Sequence, residues 1–412
     1  MKKFNIPNIY KSSIIKKIKE IRLKNDPSKN NLSPTILDFG KIRFYLARHF
    51  GFCFGVENAI EISYKALKEN PNKKIYLLSQ MIHNADVNND LQKKGIRFIM
   101  DTQGNQLINW SQINSNDIVI IPAFGTTQET LKTLESKNIS TKKYNTTCPF
   151  VTRVWKRADQ LGKQSYTIII HGKHNHEETK ATYSFSKKSA PSLIIKNLSE
   201  AKILGNIILG IEPESRFFEI FKGKFSKNFN PKKDLDNIGV INQTTMLAIE
   251  TKEISNYLKS VIKKKFGEKK LDSHIANTRD TLCYATNENQ QSTYELLNYK
   301  ADLAFVVGGY NSSNTSHLVE LCESKIPTYF ISNSEKILSK ITINHHNFKE
   351  NKNILTENYL PEKSKIDILL TSGASCPDTV IEEVLVKILS FYNLDNKINN
   401  ILKKIEMKYD QN

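Results

Sequence analysis

The chain has 412 residues, and its 60 Lys and Arg against 42 Asp and Glu give a net charge of +18 with histidine neutral. Hydrophobic residues make up 39% and charged residues 25%, which is typical of a folded globular protein and not of a disordered one. This length predicts about two to four compact units. Every apolar run is shorter than the ~18–20 residues of a membrane-spanning helix, so a membrane role is not expected.

The amino-terminal segment is basic, with nine Lys and Arg and two acidic residues in positions 1–30. It lacks the apolar stretch and cleavage site of a secretory signal, and its scarcity of Arg disfavours an organellar transit peptide. We therefore expect a cytoplasmic bacterial protein, with a plastid location as the weaker alternative. The sequence has no RNA-binding signature or zinc-finger spacing, so nucleic acid is not an expected partner. Phosphorylated small molecules, which are also anions, are compatible with the charge.

Short apolar runs alternate with helical patterns along most of the chain, which predicts α/β units with parallel strands. The predicted organisation is a basic helical extension (1–41), three α/β domains (42–145, 146–280 and 281–391) and a tail (392–412) that is a polar helix or a frayed end. An aromatic, Lys-rich stretch at 212–237 is interpreted as an insertion in the middle domain. Strands are expected at 42–47, 118–121, 166–170, 207–211, 238–241, 303–307, 329–331 and 366–370. Helices are expected at 55–69, 127–137, 150–162, 246–265, 286–297, 315–324 and 377–391.

Three of the five cysteines share one local context. Cys53, Cys148 and Cys283 each stand in a polar or small-residue loop directly before a helical pattern, in RHFGFCFGVENAI, YNTTCPFVTRVW and TLCYATNENQQ. The positive end of a helix dipole stabilises a thiolate, which is the form that binds metal. Their spacing is too long for a local zinc or ferredoxin motif but is close to one cysteine per α/β unit. Three such units about a common axis would bring the thiolates together, whereas chance placement near helix starts is the alternative.

The remaining cysteines have other surroundings. Cys322 lies among Leu and Val residues and is predicted to be a core residue, whereas Cys376 stands in the polar loop SGASCPD and its role is ambiguous. The odd count and the lack of an export signal argue against disulfides. Three thiolates on an iron–sulfur cluster would leave one iron with an open position, which suits substrate binding.

Polar loops after the predicted strands have the chemistry of anion binding. Each offers backbone N–H groups at a helix start beside hydroxyl, amide or imidazole side chains. Within KHNHEET, Glu178 is a candidate proton donor, and a solvated helix start is the alternative interpretation. Any one loop could be an ordinary cap or turn, but together they indicate one anionic ligand. The four loops are 170–182, 241–246, 308–317 and 371–378, and the segment 80–88 contributes His83.

Eight motifs occur in a fixed order between residues 42 and 388: GFCFGV, MIHNADVN, TTCPFV, HNHEETKAT, NQTT, CYATNENQ, VVGGYNSSN and SGASCPD. With them the chain resembles the 4-hydroxy-3-methylbut-2-enyl diphosphate reductase family, and PAFG and HGKHNHEET resemble its plant, cyanobacterial and Bacteroidetes-like branch. The resemblance implies an α/β fold, a trefoil of three similar domains around a central 4Fe-4S cluster. It implies reductive dehydroxylation of (E)-4-hydroxy-3-methylbut-2-enyl diphosphate to isopentenyl and dimethylallyl diphosphates, the last step of the non-mevalonate (MEP) isoprenoid pathway. Reduced ferredoxin or flavodoxin is the implied electron donor.

The resemblance also implies individual roles. Cys53, Cys148 and Cys283 match the cluster ligands, and the fourth iron, free of protein ligand, binds the substrate oxygen. Glu178 matches the family's acid, and either Thr244 or Thr245 matches the threonine that contacts the substrate hydroxyl. The residues that match the diphosphate contacts are His83, His176, Ser312, Ser313, Asn314 and Ser375.

The chain departs from the family's better-known branch at one position. In that branch, the segment that matches PAFGTT has a histidine before its glycine. This chain has Phe124 at that position, and we expect Phe124 to have a packing role. His174 competes with His176 in the alignment, and the spacing to Glu178 favours His176. Two other function classes remain open, a non-catalytic iron–sulfur protein and a cluster-free module that binds phosphate ligands.

Overall fold

The computed structural model describes residues 4–278 and 280–410. Its strands are β1 (Thr35–Asp38), β2 (Ile42–Leu46), β3 (Ile75–Leu77), β4 (Ile96–Phe98), β5 (Ile118–Ile120), β6 (Thr167–His171), β7 (Ser192–Ile195), β8 (Ile238–Asn242), β9 (Leu303–Val307), β10 (Thr328–Ile331), β11 (Thr342–Asn347), β12 (Lys352–Glu357) and β13 (Ile366–Ser372). Its helices are α1 (Ser13–Asn25), α2 (Phe54–Glu69), α3 (Ala85–Lys93), α4 (Gln128–Ser136), α5 (Pro149–Lys163), α6 (Glu177–Ser186), α7 (Leu198–Ile208), α8 (Glu214–Ile220), α9 (Pro231–Asp234), α10 (Ala248–Phe266), α11 (Leu271–His274), α12 (Tyr284–Leu296), α13 (Ser313–Glu323), α14 (Asp378–Ser390) and α15 (Ile398–Asp410).

The chain divides into two compact units. The first unit comprises the residues up to Glu57, His83–Asp86 and the residues from Tyr284 onward. Its main sheet has the strand order β1-β2-β13-β9-β10, in which β1 is antiparallel to β2 and the other pairs are parallel. Strands β11 and β12 form a separate hairpin. Strand β9, which lies between β13 and β10, is buried along its whole length and is a continuous apolar run, as expected when both faces of a parallel sheet are covered.

The second unit comprises Asn58–Ile82 and Val87–Cys283. It contains two parallel three-stranded sheets with the orders β4-β3-β5 and β7-β6-β8. All five residues of β6 are buried, as are all five of β8. The functional loops that the sequence predicts after these strands therefore start at the carboxyl ends of parallel strands, where α/β proteins bind ligands.

The predicted α/β alternation is confirmed for most elements, but the strand predicted at 207–211 is wrong. Helix α7 continues through Ile208 after a start capped by the side chain of Asn197. Leu204 and Ile208 lie on its buried face, so the apolar run is the inner end of an amphipathic helix. A run of four or five apolar residues does not distinguish a strand from a buried helix end. The strand that follows β6 in the chain and pairs with it is Ser192–Ile195 instead.

The amino-terminal extension forms the predicted helix. Helix α1 buries Ile15, Ile18 and Ile21 in the hydrophobic core of the first unit. The carboxyl-terminal tail is helical as well, with Leu402 and Ile405 buried in the same core, so it is not a frayed end. Both ends of the described chain thus contribute apolar surface to one core.

The stretch at 212–237 contributes to the core of the second unit. Phe217, Phe221 and Phe229 are buried in it, and the rings of Phe217 and Phe229 stack with centroids 5.0 Å apart. Truncation of such a buried aromatic residue costs about 3–5 kcal/mol of stability. Its identification as an insertion and the three-domain division stay predictions. Within the described residues, no helix has both the length and the apolar character needed to cross a bilayer.

Candidate active site

Glu178 and Thr244 form the most closely bonded pair among the predicted site residues of the second unit. Glu178 lies in the first turn of α6, and Thr244 follows the carboxyl end of β8. The backbone N–H of Thr244 donates to Oε1 of Glu178 at 2.6 Å, and the Thr244 hydroxyl donates to Oε2 at 2.9 Å. Thr245 is half-buried, and its hydroxyl accepts a hydrogen bond from the side chain of Gln243 at 2.7 Å. Of the two candidate threonines, Thr244 is therefore the one bonded to the predicted acid.

The Glu178 carboxyl is 1% exposed. Burial raises its pKa to about 7, against the opposing effect of the two hydrogen bonds from Thr244, which favour the ionised form. At neutral pH this group therefore exists in both protonation states. A carboxyl group with a pKa near the working pH is well suited to general acid catalysis.

His176 occupies the N-cap position of α6 and orients the start of the helix that carries Glu178. Its Nδ1 accepts a hydrogen bond from the Glu178 backbone N–H at 3.2 Å. Because Nδ1 is an acceptor, a neutral ring carries its proton on Nε2, which makes Nε2 a donor suited to an anion. His174 instead bonds through Nε2 to the Gly223 carbonyl at 3.0 Å, on the stretch at 212–237.

Phe124 contacts the same histidine. The rings of Phe124 and His176 meet edge to face, with centroids 5.5 Å apart. Phe124, for which the sequence predicts a packing role, thus packs against the imidazole of His176, and such aromatic pairs favour a fixed ring orientation.

Cys148 and Cys283, both residues of the second unit, stand directly before helices. Cys148 is the N-cap residue of α5, with Pro149 at the first helical position, and Cys283 immediately precedes α12. The Cys148 N–H donates to the Ala123 carbonyl at 3.0 Å. The Cys283 N–H donates to the Thr244 carbonyl at 3.1 Å, so one residue connects this cysteine to the predicted acid.

The electrostatics of Cys148 depend on three influences. Burial raises the pKa of its thiol and the negative charge of Glu178 raises it further, whereas hydrogen bonds from the N–H groups of Phe150 and Val151 lower it. The expected stabilisation of the thiolate by the helix start is therefore present, but burial outweighs it. Backbone N–H groups directed at a sulfur also tune the potential of a thiolate-bound metal centre.

Gln243 is a site residue that the sequence analysis missed. Its side-chain oxygen accepts hydrogen bonds from the Thr179 hydroxyl at 2.9 Å and from the Lys173 N–H at 3.1 Å, while its amide donates to Thr245. The side chain is fully buried and ties the loop after β8 to the loop after β6. Its place in the NQTT motif, between a strand and the two threonines, is the signal that could have found it.

The first unit brings together the other predicted diphosphate ligands. His83, Ser312, Ser313, Asn314 and Ser375 are all at least nine-tenths buried. The Ser375 hydroxyl donates to the His83 carbonyl at 3.2 Å, and the Ala374 N–H donates to the Asn314 side chain at 2.9 Å. Ser312 is the N-cap of α13, a helix start of the kind that binds anions.

Glycine is required where these loops meet. A Cβ on Gly309 would lie 2.0 Å from the His83 carbonyl oxygen, and one on Gly373 would lie 1.9 Å from the Thr315 hydroxyl oxygen. Both distances are too short for any side chain. The glycines thus allow the loops after β9 and β13 to approach each other and His83.

Cys53 lies beside this polar cluster. Its N–H donates to the Ala374 carbonyl at 3.1 Å, and the Ala374 N–H in turn bonds to Asn314. Asn314 also accepts a hydrogen bond from Asn289 at 3.3 Å, which the sequence analysis did not predict. The position of Asn289 in the CYATNENQ motif, two residues after CYATN, was the available signal.

The five cysteines, all within the described residues, form no disulfide and fall into two classes. Cys53, Cys148 and Cys283 are partly exposed, whereas Cys322 and Cys376 are buried in the apolar core of the first unit. Burial raises the pKa of Cys322 to about 12 and also raises that of Cys376, which keeps both as thiols. Cys322 is therefore the predicted core residue, and Cys376 also packs as one.

The residues present fit an iron–sulfur cluster. Three partly exposed thiols at helix starts are soft donors of the type such a cluster takes, and Cys148 receives backbone hydrogen bonds that suit a bound thiolate. Among the described residues, no group of three or more His, Cys, Asp or Glu side chains is arranged to hold a single metal ion. The three thiols are thus chemically compatible with an iron–sulfur cluster.

Comparisons with known proteins agree with the motifs. Residues 44–389 match the model of the LytB protein family. The chain is 38% identical over 382 residues to the 4-hydroxy-3-methylbut-2-enyl diphosphate reductase of Picosynechococcus sp., covering 92% of this chain and 89% of that protein. It is 39% identical over 385 residues to the enzyme of the same name from Microcystis aeruginosa, covering 93% of this chain and 90% of that protein.

Two solved structures share the fold. One is a structure of (E)-4-hydroxy-3-methyl-but-2-enyl diphosphate reductase, described as the terminal enzyme of the non-mevalonate pathway, with a TM-score of 0.51 and 23% identity over 84% of this chain and 99% of that one. The other is the E-1-hydroxy-2-methyl-but-2-enyl-4-diphosphate reductase of Plasmodium falciparum, with a TM-score of 0.60 and 24% identity over 86% of this chain and 90% of that one. The predicted α/β fold class and the predicted family are confirmed. The chain belongs to the LytB protein family of 4-hydroxy-3-methylbut-2-enyl diphosphate reductases, which are oxidoreductases of isoprenoid biosynthesis.

Proposed function

We propose that this chain removes the hydroxyl group of (E)-4-hydroxy-3-methylbut-2-enyl diphosphate by reduction, with one 4Fe-4S cluster held by Cys53, Cys148 and Cys283. The C–O bond breaks and a C–H bond forms, two electrons and two protons are consumed, and the oxygen leaves as water. The products are isopentenyl and dimethylallyl diphosphates. When bound, the cluster supplies the two electrons one at a time. Reduced ferredoxin or flavodoxin is the proposed donor, and the cytoplasm is the proposed compartment.

The diphosphate is proposed to bind the polar loops of the first unit. Ser312, Ser313 and Asn314 stand at the start of α13, where backbone N–H groups and the helix dipole favour an anion. His83 and Ser375 add an imidazole and a hydroxyl on the adjoining loops. His176 is the other proposed diphosphate ligand, and its Nδ1 accepts a hydrogen bond from the Glu178 N–H.

Glu178 is proposed to supply the proton for the departing oxygen. Its two hydrogen bonds from Thr244 fix the carboxyl group, and the Thr244 hydroxyl can both accept a proton from Glu178 and donate one to the substrate oxygen. Burial keeps a substantial fraction of the group protonated near pH 7. A positioned acid of this kind contributes about 10²–10⁴-fold to a rate.

One observation carries the proposal. The buried acid Glu178 is joined through Thr244 to the backbone of Cys283, so the proton source and a proposed cluster ligand belong to one hydrogen-bonded unit. An electron carrier needs no buried acid beside its cysteines, and a phosphate-binding module needs none of the three thiols. The reductase is the function that uses both groups.

Anaerobic purification tests the proposal. We expect a brown protein that contains iron and sulfide and that converts the hydroxylated diphosphate to the two products with a chemical reductant. A brown protein without turnover would support the electron carrier. A colourless protein that still binds inorganic pyrophosphate would support the phosphate-binding module, and either result would contradict the reductase.

A further inference from the structure

The amino-terminal extension is anchored on the first unit by charged and apolar contacts. Ile15, Ile18 and Ile21 of α1 are buried in the core, and Ser12 donates its hydroxyl to Glu382 on α14. Lys19 pairs with Asp378 at the start of α14 at 2.7 Å. The Thr379 hydroxyl donates to the Ile9 carbonyl at 3.0 Å. The segment before α1 is thereby fixed against the helix that follows the SGASCPD loop.

Two aromatic residues of this extension contact the two neighbours of Cys53. Phe4 packs edge to face on Phe54, with ring centroids 4.9 Å apart and planes at 75°. Tyr10 packs on Phe52, with centroids 5.8 Å apart and planes at 61°. The residues immediately before and after the cysteine are therefore both held by the extension.

A third contact fixes the turn that precedes the cysteine. Gly51 has a φ of +81°, and a Cβ there would lie 2.6 Å from Oδ1 of Asp378 and 3.1 Å from Nζ of Lys19. Lys19 also lies over the ring of Phe50, 4.7 Å from its centroid. Glycine is therefore required at this position, because a side chain would clash with the Lys19–Asp378 ion pair and would strain the backbone at this φ.

We propose that residues 4–25 are a positioning element that holds the Cys53 loop and covers it against water and small oxidants. The aromatic contacts on both sides of Cys53 limit local opening of the loop, and such opening would expose the partly buried thiol further to reagents. That this cover protects a cluster rests on the proposed function, in which Cys53 is a ligand. Exposed thiolates are the ones that oxidise or leave a metal centre most readily.

The test uses the full-length apoprotein and measures how fast iodoacetamide alkylates each of the five cysteines, assigned by mass spectrometry. We expect Phe4→Ala to speed alkylation of Cys53 about threefold to tenfold, since it removes one aromatic contact. The rate at Cys148, in the other unit, should not change. Phe4→Tyr keeps the ring and should restore the slow rate, and Ile9→Ala, whose side chain is 57% exposed, is the matched control.

An unchanged Cys53 rate in Phe4→Ala would overturn the inference. A parallel rise at Cys322 and Cys376 would also overturn it, because it would report loosening of the whole core. A deletion of residues 1–25 is unsuitable, since it would remove Ile15, Ile18 and Ile21 from that core.

A second readout uses the anaerobically loaded protein. On exposure to air, Phe4→Ala should lose iron and visible absorbance severalfold faster than the unchanged protein and Ile9→Ala; equal loss would overturn the protective role. The proposed function is judged separately by Cys53→Ala. If that variant keeps its full iron content, the ligand role of Cys53 fails while a faster alkylation in Phe4→Ala still establishes the cover.

Discussion

The backbone N–H of Thr244 lies 2.6 Å from Oε1 of Glu178, and the hydroxyl of the same threonine lies 2.9 Å from Oε2. One residue therefore engages both oxygens of a buried carboxyl group. This arrangement fixes the direction of the carboxyl group, and burial raises its pKa to about 7.

Replacement of Glu178 by Gln should abolish the proton supply and leave the packing intact. We expect kcat to fall by about 10²-fold or more with unchanged iron content, because the amide keeps the shape of the side chain but cannot act as an acid. Turnover measured anaerobically beside iron analysis checks this. Glu219→Gln, at an exposed carboxyl of the same unit, is the control. Full activity in Glu178→Gln would remove the acid from the proposal.

The rate should fall as the pH rises, because Glu178 must be protonated to act as an acid. The pKa of Glu178 is raised from 4.5 to about 7, so the protonated fraction is large below pH 7 and declines above it. We therefore expect kcat to fall about tenfold per pH unit on the alkaline side. The residual activity of Glu178→Gln should lack this decline. A kcat that rises through pH 7–8 would contradict the assignment.

The two neighbouring threonines should differ sharply. Thr244→Val removes the hydroxyl that bonds to Glu178, and we expect kcat to fall by about 10–100-fold with little change in KM. Thr245→Val, whose hydroxyl bonds to Gln243 instead, should change kcat by less than about threefold. Steady-state kinetics of both variants decides the question that the sequence left open. The reverse order of effects would assign the role to Thr245.

The polar loops of the first unit should govern affinity for the charged part of the substrate. We expect Ser375→Ala to raise the Kd of inorganic pyrophosphate by about tenfold, which is about 1.4 kcal/mol and is typical of a lost hydrogen bond to a charged group. Calorimetry on the loaded protein measures it. Ser324→Ala, at the far end of α13, should bind as the unchanged protein does. Equal affinities for both variants would place the diphosphate elsewhere.

Much of the fold follows from local patterns in the sequence. The long apolar runs at β9 and β13 and the periodic helices α5 and α14 are predicted because each pattern is long enough to identify one structure. Strands β3, β4 and β5 are three residues each, and only β5 was predicted, because so short a run carries no reliable pattern. The false strand at 207–211 has the same cause, because a short apolar run carries no period.

The motifs indicate the candidate chemistry of the site but not its contacts. They predict which cysteines and loops belong to the site, yet nothing in the sequence reveals that Phe124 packs on His176 or that Gln243 joins two loops. The elevated pKa of Glu178 depends on burial by distant segments, which no local pattern encodes. The contact of Tyr10 with Phe52 likewise depends on how the extension folds back on its unit.

The most direct measurement is the iron and sulfide content of single cysteine variants purified anaerobically. We predict that Cys53→Ala, Cys148→Ala and Cys283→Ala each lose most of the iron and all turnover, whereas Cys376→Ala, at a buried core thiol, keeps both. Full iron content in any of the first three, or its loss in Cys376→Ala, would contradict a cluster held by those three thiols.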